Sequence, residues 1–379
     1  CLKAFKQPAV SDTAAMPASM DKKFMLCAVE LARKGRYGAH PNPMAGAVIV
    51  KNGKLIGRGA HLHFGGPHAE INALKACSAS ADGASLYVTL EPCSTYGKTP
   101  PCTEAVIRAG IKSVFIGASD PSPANGGKAA ALLRRAGLKV TTGVMKKECE
   151  ALNPAFNKFM RVGLPYVTLK IAQSLDGKIA DAQGRSRWVS SPQSRLEGHK
   201  LRAEADAVLV GIGTVLADDP LLNVRGVKVR RQPWIVALDS SFRAPRKARI
   251  FKSGRLIVAT TCRAPAAAMK KLSGDVKILT LPPEKSGVSL PALLKALGGL
   301  GISHILVEGG GRVAGSFISE GLADRFICFV SPLIIGGTES KNSMVWPDAL
   351  NSARKEPGIK ARIASIGRAG PDLMLELKF

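Results

Sequence analysis

The segment His68-Ala69-Glu70 and the cysteine segments after it, Glu91-Pro92-Cys93 and Pro100-Pro101-Cys102, decide the fold of the first part of this chain. The surrounding pattern predicts that His68 begins a helix, that Cys93 follows a buried strand and that Cys102 begins the next helix. One imidazole and two thiolates fill three corners of a tetrahedral zinc site, and a fourth corner left for water is typical of catalytic sites. The sequence therefore predicts a catalytic zinc centre held by these three ligands.

Glu70 stands two residues after the histidine, where its carboxylate can lie beside the metal without binding it. From there it can take a proton from water and pass it to a departing amine. An H-x-E segment followed by P-C and a further cysteine is the signature of zinc deaminases. A single buried histidine or cysteine is usually structural, but this ordered set of four residues is rarely an accident. We therefore expect a hydrolytic deaminase with Glu70 as its catalytic residue.

The spacer between the two cysteines is unusual, because eight residues (94–101) separate them where most zinc deaminases have two. It ends in two prolines, which predicts a stiff loop. It also contains Lys98, which is either a solvated surface lysine or a partner for a phosphate group on the substrate.

Strands and helices alternate through the first part of the chain, which predicts a three-layer α/β domain. The predicted helices are 22–36, 67–77, 103–109 and 128–136, and the predicted strands are 45–50, 54–58, 85–90, 113–117 and 139–142.

The pattern breaks around residues 153–165, where we expect the domain junction. A second alternating series follows and predicts a doubly wound, nucleotide-binding type of α/β fold. Its predicted strands are 166–172, 207–211, 234–238, 256–260, 305–308 and 325–330, and its predicted helices are 191–201, 291–297 and 314–320.

The bulk composition is that of a globular protein, with 46% hydrophobic and 22% charged residues in 379. No apolar run is long enough to span a membrane, so we expect no membrane partner. The eight scattered cysteines suggest no disulfide framework, which favours a reducing cytoplasm. We expect residues 1–19, rich in Ala, Ser and Pro, to be disordered or extra to the fold. The net charge of +26 is spread over both halves and is compatible with nucleic acid or with small anionic substrates.

The sequence resembles the bifunctional deaminase–reductases of riboflavin biosynthesis over roughly residues 20–379. The eight-residue cysteine spacer together with an Ala-Asp-Asp-Pro segment is specific to them. The matching segments are 41–44 (PNPM), 68–70 (HAE), 89–93 (TLEPC), 100–102 (PPC), 120–121 (DP), 170–178 (KIAQSLDGK), 214–220 (TVLADDP) and 307–311 (VEGGG).

This resemblance implies a cytidine-deaminase-like three-layer domain over 20–164 and a dihydrofolate-reductase-like α/β domain over 165–379. It implies two successive reactions on a small pyrimidine ribosyl phosphate, with Zn²⁺ and NADPH as cofactors. The first hydrolyses the ring amine of 2,5-diamino-6-ribosylamino-4(3H)-pyrimidinone 5′-phosphate, and the second reduces the ribosyl group to a ribityl chain. We also expect a homo-oligomer and no nucleic-acid partner.

The resemblance further implies the residues that contact each ligand. The deaminase substrate would meet Asn42, His61, Thr95 and Lys98, with Lys98 at the phosphate; Thr95 stands where relatives often have His, which puts that contact in doubt. NADPH would meet Ala172, Trp188, Thr214, Asp218, Ser240, Gly310, Gly311, Arg312, Val313, Ala314, Gly315 and Ser316. The reductase substrate would meet Ser186, Arg202, Leu222, Arg225 and Glu308.

Several of these residues have ordinary structural alternatives. His61 can be a hydrogen-bonded structural histidine, Trp188 a core aromatic, and Arg202 and Arg225 exposed surface arginines. The glycine run at 309–311 alone is more often a turn, although after a strand and before a helix it suits a pyrophosphate. Lys170 and Glu308 are the candidates for proton handling in the reductase.

Three rival functions remain open at this point. A nucleic-acid base deaminase would use the same zinc residues and the basic charge, but the long cysteine spacer and the second half disfavour it. A regulatory protein with a degenerate site is disfavoured because Glu70 and all three ligands are kept. A deaminase without a working reductase is disfavoured because every reductase segment is present.

Overall fold

The computed structural model describes residues 18–96, 100–123, 125–261, 276–284, 287–346 and 358–379. The chain divides into two compact units between Arg161 and Val162. The junction predicted at 164/165 lies three residues further on and stays a prediction. No helix in the described part of the chain is both long and apolar enough to cross a membrane.

The N-terminal unit is built on a five-stranded sheet in the order β2-β1-β3-β4-β5. Strand β1 pairs antiparallel with β2 and β3, whereas β3, β4 and β5 run parallel. The strands are β1 (Gly46–Lys51), β2 (Lys54–Ala60), β3 (Ser85–Leu90), β4 (Ser113–Ala118) and β5 (Lys139–Thr142). The helices are α1 (Ala18–Ala32), α2 (Ala69–Lys75), α3 (Cys102–Arg108), α4 (Lys128–Arg135), α5 (Lys146–Glu150) and α6 (Pro154–Val162), with a 3₁₀ turn at Arg33–Gly35.

Successive side chains of a strand point to opposite faces of the sheet. In this sheet, side chains on both faces are buried by helices. Val48 and Val50 pack with α1 and α5, whereas Ala47 and Ile49 pack with α2, α3 and α4. The predicted three-layer domain is therefore confirmed. Helix α2 is shorter than the helix predicted over 67–77. Helix α3 begins at Cys102, as the zinc motif predicts, and ends one residue before the end of the predicted range 103–109.

Glycines allow α2 to lie directly on strand β2. A Cβ atom at Gly59 would stand 2.1 Å from the carbonyl oxygen of Ala69 and 2.3 Å from the nitrogen of Ala73. These are backbone atoms of α2, so they cannot move aside alone. Because Ala69 separates His68 from Glu70, this close approach sets the height of the predicted catalytic residues above the sheet.

The C-terminal unit contains a nine-stranded sheet in the order β11-β10-β9-β8-β14-β6-β15-β18-β17, and two small two-stranded sheets, β12-β13 and β7-β16. Its larger strands are β6 (Tyr166–Ser174), β8 (Ala207–Gly211), β9 (Trp234–Leu238), β10 (Leu256–Thr260), β11 (Val276–Thr280), β14 (His304–Val307), β15 (Arg325–Ser331), β17 (Arg362–Ala369) and β18 (Asp372–Lys378). Its short strands are β7 (Lys178–Ala180), β12 (Pro283–Glu284), β13 (Gly287–Val288) and β16 (Lys341–Asn342). Its helices are α7 (Pro192–Glu204), α8 (Ile212–Asp218), α9 (Leu290–Gly299) and α10 (Gly311–Ser319), with a 3₁₀ turn at Arg249–Ser253.

Helices cover both faces of the large sheet as well. Ala207 and Leu209 of β8 pack towards α9 and α10, whereas Val208 and Val210 of the same strand pack towards α8. Helix α7 joins this second face through Leu201. The predicted α/β architecture is confirmed.

The C-terminal hairpin was missed by the sequence prediction, as were α8 and β11. Strands β18 and β17 extend the parallel sheet in antiparallel fashion beyond β15. Most of β17 is exposed, so its sequence lacks the apolar alternation that marks a half-buried strand. The turn at Gly370, with φ +66°, was the available signal.

We predict that Gly59→Ala destabilises the N-terminal unit. The added methyl group forces α2 away from β2, and overpacking of this kind costs about 1–3 kcal/mol. Urea unfolding of the full chain should show an earlier transition for this variant. Arg58→Ala, at an exposed neighbouring position of the same strand, should unfold as the wild type does. Equal stability of G59A and the wild type would show that α2 can move freely.

Candidate active sites

The predicted zinc ligands lie together at one end of the N-terminal sheet. The ligand atoms of His68, Cys93 and Cys102 all lie within 4.8 Å of one another. Nδ1 of His68 is 3.2 Å from Sγ of Cys102 and 3.5 Å from Sγ of Cys93. In a tetrahedral site with ordinary Zn–N and Zn–S bonds, such atoms are about 3.6 Å apart. The donor set and its spacing therefore fit a zinc ion.

Three local structures hold these ligands. His68 is the extended residue directly before α2, and Cys102 is the first residue of α3. Cys93 follows β3, and its sulfur accepts the backbone N–H of Cys102 at 3.2 Å. The two cysteines at the ends of the eight-residue spacer are therefore in contact, so the length of the spacer does not separate the two ligands.

The two thiols differ in their readiness to ionise. Hydrogen bonding from Cys102 lowers the pKa of Cys93 to about 4, although burial opposes this. The same hydrogen bond, with burial, raises the pKa of Cys102. The protein thus already stabilises a thiolate at Cys93, which is the form that binds metal.

Glu70 is buried beside this cluster, with 4% of its surface exposed. Burial raises its pKa, whereas the charge of His68 works in the opposite direction. Among the described residues only His68, Cys93 and Cys102 form a group with metal-binding spacing, so Glu70 is not one of the ligands. A carboxyl group with a raised pKa holds a proton more readily than a free one, which suits general acid–base catalysis.

His61 and Asn42 lie next to the cluster. The His61 ring packs edge-on against His68 with ring centroids 5.3 Å apart. Its Nδ1 is 3.0 Å from the carbonyl oxygen of Pro67, which can only accept, so Nδ1 carries the proton. Its Nε2 therefore accepts from the amide of Asn42, 3.2 Å away. Burial lowers the pKa of His61, in agreement with a neutral ring.

Two side chains anchor the part of the cysteine spacer that precedes its undescribed residues 97–99. Thr95 donates to Oδ1 of Asn125 at 3.1 Å. The Tyr96 hydroxyl is 2.9 Å from one carboxylate oxygen of Glu104 and 3.1 Å from the other. Lys98 lies outside the described residues.

Glu91 is a structural residue to which the sequence analysis gave no role of its own. Its buried carboxylate accepts backbone N–H groups from Gly127 at 2.9 Å, Ala130 at 3.1 Å and Asp120 at 3.3 Å. It therefore ties the residue before Pro92-Cys93 to the start of α4. An acidic residue at the end of a buried strand was the signal that could have identified it.

The main ionic feature of the C-terminal unit is a pair between Arg202 and Glu308. Nε and Nη2 of Arg202 donate to the two carboxylate oxygens of Glu308 at 2.6 Å and 2.8 Å. Burial alone would raise the pKa of Glu308, but the adjoining guanidinium lowers it to about 2. The sequence alternative of an exposed surface arginine is therefore wrong for Arg202, whose side chain is 15% exposed.

Lys170 of β6 lies near this pair. Burial lowers its pKa, and the negative charge of Glu308 partly restores it. Its Nζ is 5.7 Å from the centroid of the Phe329 ring. A buried lysine beside a carboxylate is a candidate for proton exchange.

Several residues predicted to meet NADPH gather near the carboxyl ends of parallel strands, the usual ligand-binding edge of such a sheet. Thr214 and Asp218 lie on α8, which follows β8 directly, and Ser240 lies two residues beyond β9. Gly310 precedes α10, and a Cβ there would be 3.9 Å from the Thr214 hydroxyl. Ala172 lies within β6.

The first two turns of α10 contain six more of the predicted NADPH residues. Arg312 is exposed, Val313 and Ser316 are half-buried, and Ala314 is buried. Gly311 and Gly315 are required by packing, since a Cβ at these positions would stand 2.3 Å from the Asn342 carbonyl and 2.1 Å from the Val345 carbonyl.

Trp188 lies on the surface of the C-terminal unit. It is 68% exposed, which makes the alternative of a core aromatic wrong. The guanidinium of Arg195 covers its ring at 4.3 Å from the centroid. Trp188 and Ser186 both line a cavity of about 460 Å³.

The loop after α8 contains the last two predicted substrate residues. The Leu222 side chain is 4% exposed and packs into the core, so a ligand would meet its backbone. Arg225 is exposed, and its guanidinium donates to Oδ1 of Asn223 at 2.6 Å.

Comparison with known families accounts for both units. Residues 18–118 match the profile of the cytidine and deoxycytidylate deaminase zinc-binding region. Residues 165–375 match the profile of the RibD C-terminal domain.

Whole-chain relatives agree with these matches. The riboflavin biosynthesis protein RibD of Aquifex aeolicus is 41% identical over 364 residues, which cover 96% of this chain and 99% of that protein. RibD of Escherichia coli is 38% identical over 370 residues, covering 94% and 99%.

Two solved structures resemble the fold over nearly its whole length. RibD of Acinetobacter baumannii has a TM-score of 0.85 at 35% identity, covering 96% of this chain and 99% of that one. A diaminohydroxyphosphoribosylaminopyrimidine deaminase/5-amino-6-(5-phosphoribosylamino)uracil reductase of Thermotoga maritima has a TM-score of 0.83 at 35% identity, covering 95% and 99%. The resemblance found in the sequence is thus confirmed, and the chain belongs to the RibD family of bifunctional riboflavin-biosynthesis enzymes, with a deaminase domain of the zinc-binding type and a reductase domain.

Proposed function

We propose that this chain deaminates 2,5-diamino-6-ribosylamino-4(3H)-pyrimidinone 5′-phosphate in its N-terminal unit and reduces the product with NADPH in its C-terminal unit. The observation that carries the proposal is the cluster of His68, Cys93 and Cys102 with Glu70 buried beside it. The Thermotoga relative, which is matched over 99% of its length, is named for these two activities.

In the deamination, water replaces the ring amine and ammonia leaves. A zinc ion held by His68, Cys93 and Cys102 would supply a Lewis acid that makes water a nucleophile near neutral pH. Glu70 accepts the proton of the attacking water and donates it to the departing amine. Burial raises its pKa, so the carboxyl holds a proton more readily than a free glutamate does, which suits the return of the proton to the amine.

The remaining groups of this unit orient the pyrimidine. His61 is fixed by the Pro67 carbonyl, and it in turn orients Asn42, whose amide oxygen stays available to a ring N–H. We assign Thr95 and Lys98 to the same substrate, with Lys98 at its phosphate.

We predict that Glu70→Gln retains zinc but abolishes ammonia release. Glutamine has a similar shape but cannot carry the proton, and general acid–base catalysis contributes about 10²–10⁴-fold to such rates. Metal content and ammonia release should be measured on the same preparation, with NADPH oxidation of the deaminated substrate as an internal check. The exposed Glu148 of α5 supplies the control Glu148→Gln, which should behave as the wild type. Survival of ammonia release in E70Q would remove Glu70 from its assigned role.

In the reduction, NADPH when bound would supply a hydride to the ribosyl carbon that is attached to nitrogen; the bond from this carbon to the ring oxygen breaks, and the oxygen takes up a proton. We assign Ala172, Trp188, Thr214, Asp218, Ser240 and the residues 310–316 to the cofactor. Ser186, Arg202, Leu222, Arg225 and Glu308 are assigned to the substrate. Arg225 is exposed and can reach a phosphate.

Glu308 and Lys170 influence each other electrostatically, because the charge of each favours the ionised form of the other. Glu308 is ionised at neutral pH because Arg202 stabilises the carboxylate, so it can accept a hydrogen bond from a substrate hydroxyl. Lys170 is the group that can donate a proton to the ring oxygen as the ribose opens. Burial lowers its pKa, which makes the donation easier.

We predict that Glu308→Gln lowers kcat/KM of NADPH oxidation by about 10²-fold or more, because it removes the negative charge beside Lys170 and leaves Arg202 buried without its partner. Ammonia release should persist, since the zinc residues are untouched. The control is Glu320→Gln, an exposed position after α10. An unchanged kcat/KM would show that the ion pair has only a structural role.

One assay tests the proposed pair of reactions directly. The purified chain should hold about one zinc per molecule. It should oxidise NADPH when the deaminated pyrimidine phosphate is supplied, with or without zinc. After the zinc is removed, it should not oxidise NADPH when only the diamino precursor is supplied. The proposal would be overturned if the chain contained no zinc as purified and also failed to oxidise NADPH with the deaminated pyrimidine phosphate.

A further inference from the structure

Two side chains of α7 hold the loop that contains Leu222 and Arg225. Nη1 of Arg202 donates to the carbonyl oxygen of Asn223 at 3.0 Å. Three residues earlier on the same helix, Nδ1 of His199 accepts the backbone N–H of Arg225 at 3.1 Å. Residues three apart lie on the same side of a helix, so both contacts reach the loop from one face of α7.

The loop needs such support, because its backbone conformation is costly. Leu222 has φ +51°, a region that a branched side chain rarely adopts. The Val224 N–H donates to Oε1 of Gln232 at 2.7 Å. Directly after this bond, the backbone N–H of Arg225 donates to Nδ1 of His199. The direction in which Arg225 leaves the loop therefore depends on the imidazole.

The contact requires a neutral imidazole, since only an unprotonated nitrogen can accept the N–H of Arg225. Burial and the positive charges of Arg202 on α7 and Arg225 in the loop lower the pKa of His199. Glu308, after β14, and the backbone of Asn223 act in the opposite direction and are outweighed. The neutral ring is the form present at pH 7.

We propose that His199 is a positioning residue of the reductase, whose neutral ring holds Arg225 ready for the 5′-phosphate of the substrate and whose protonation releases it. This inference rests on the proposed function, because it takes Arg225 as a phosphate contact. It assigns to the reductase a pH-sensitive binding step within the substrate site.

The sign of the pH dependence follows from the lowered pKa. The contribution of the contact is fully present above the ordinary histidine value of about 6.5 and is lost as pH falls through the lower pKa of the folded protein. Substrate binding should therefore weaken on the acid side, with kcat much less affected.

The test compares two variants by NADPH oxidation with the deaminated pyrimidine phosphate between pH 5.5 and 8. His199→Asn keeps an acceptor near the position of Nδ1 that cannot be protonated, whereas His199→Leu removes it. We expect H199L to raise KM about five- to tenfold at pH 8, the effect of one lost hydrogen bond, with kcat within about twofold. H199N should keep the wild-type KM at pH 8.

The decisive readout is the pH profile. As the pH falls to 5.5, the KM of the wild type should rise more steeply than the KM of H199N. The rise that remains in H199N comes from the substrate phosphate, which itself titrates near pH 6. His63→Asn, in the other unit, should leave the wild-type profile unchanged. Because H199N retains the acceptor, its profile remains informative even where H199L unfolds.

Two results would overturn the inference: a KM profile of H199N that coincides with the wild type, or a folded H199L with wild-type KM. Failure of the proposed function looks different, since wild-type protein would then not oxidise NADPH with this substrate at any pH. If the wild type is active but the His199 variants have wild-type KM values at every pH, the inference about His199 is wrong and the proposed function stands.

Discussion

The contact between α2 and strand β2 sets the geometry on which the deaminase centre depends. Gly59 has no side chain, so the backbone of α2 at Ala69 can lie against the sheet. His68 and Glu70 flank Ala69, and their positions follow from it. The proposed metal ligand His68 and the proposed proton carrier Glu70 are thus positioned by the same packing contact, and His68 lies close to Cys93 and Cys102.

The C-terminal unit uses a different constraint, the buried ion pair of Arg202 and Glu308. Two buried charges are tolerated because they are in bidentate contact and because Asn223 accepts a further hydrogen bond from the guanidinium. The pair keeps Glu308 ionised beside Lys170 and ties α7 to the loop after α8. One interaction therefore fixes the charge of a candidate catalytic group and the position of a binding loop.

Both units place their polar residues where strands end and helices begin. In the N-terminal unit, Cys93 follows β3 and His68 precedes α2; in the C-terminal unit, Glu308 follows β14 and Gly310 precedes α10. The sheets supply rigid, apolar cores, and the loops at their ends can vary in sequence without loss of the fold. The two sites therefore share their location at strand and helix ends, whereas their side chains differ and serve two different reactions.

The sequence by itself determined the layered α/β class, and it predicted the zinc residues and Glu70, because both depend on short segments next to a helix or strand end. It did not reveal the C-terminal hairpin, whose outer strand is exposed and so lacks a periodic apolar pattern. Only the tertiary structure decided the partners of Arg202, His199 and Glu91. Their contacts join residues 21 to 106 positions apart, and which of these residues meet depends on strand order and helix packing rather than on local pattern.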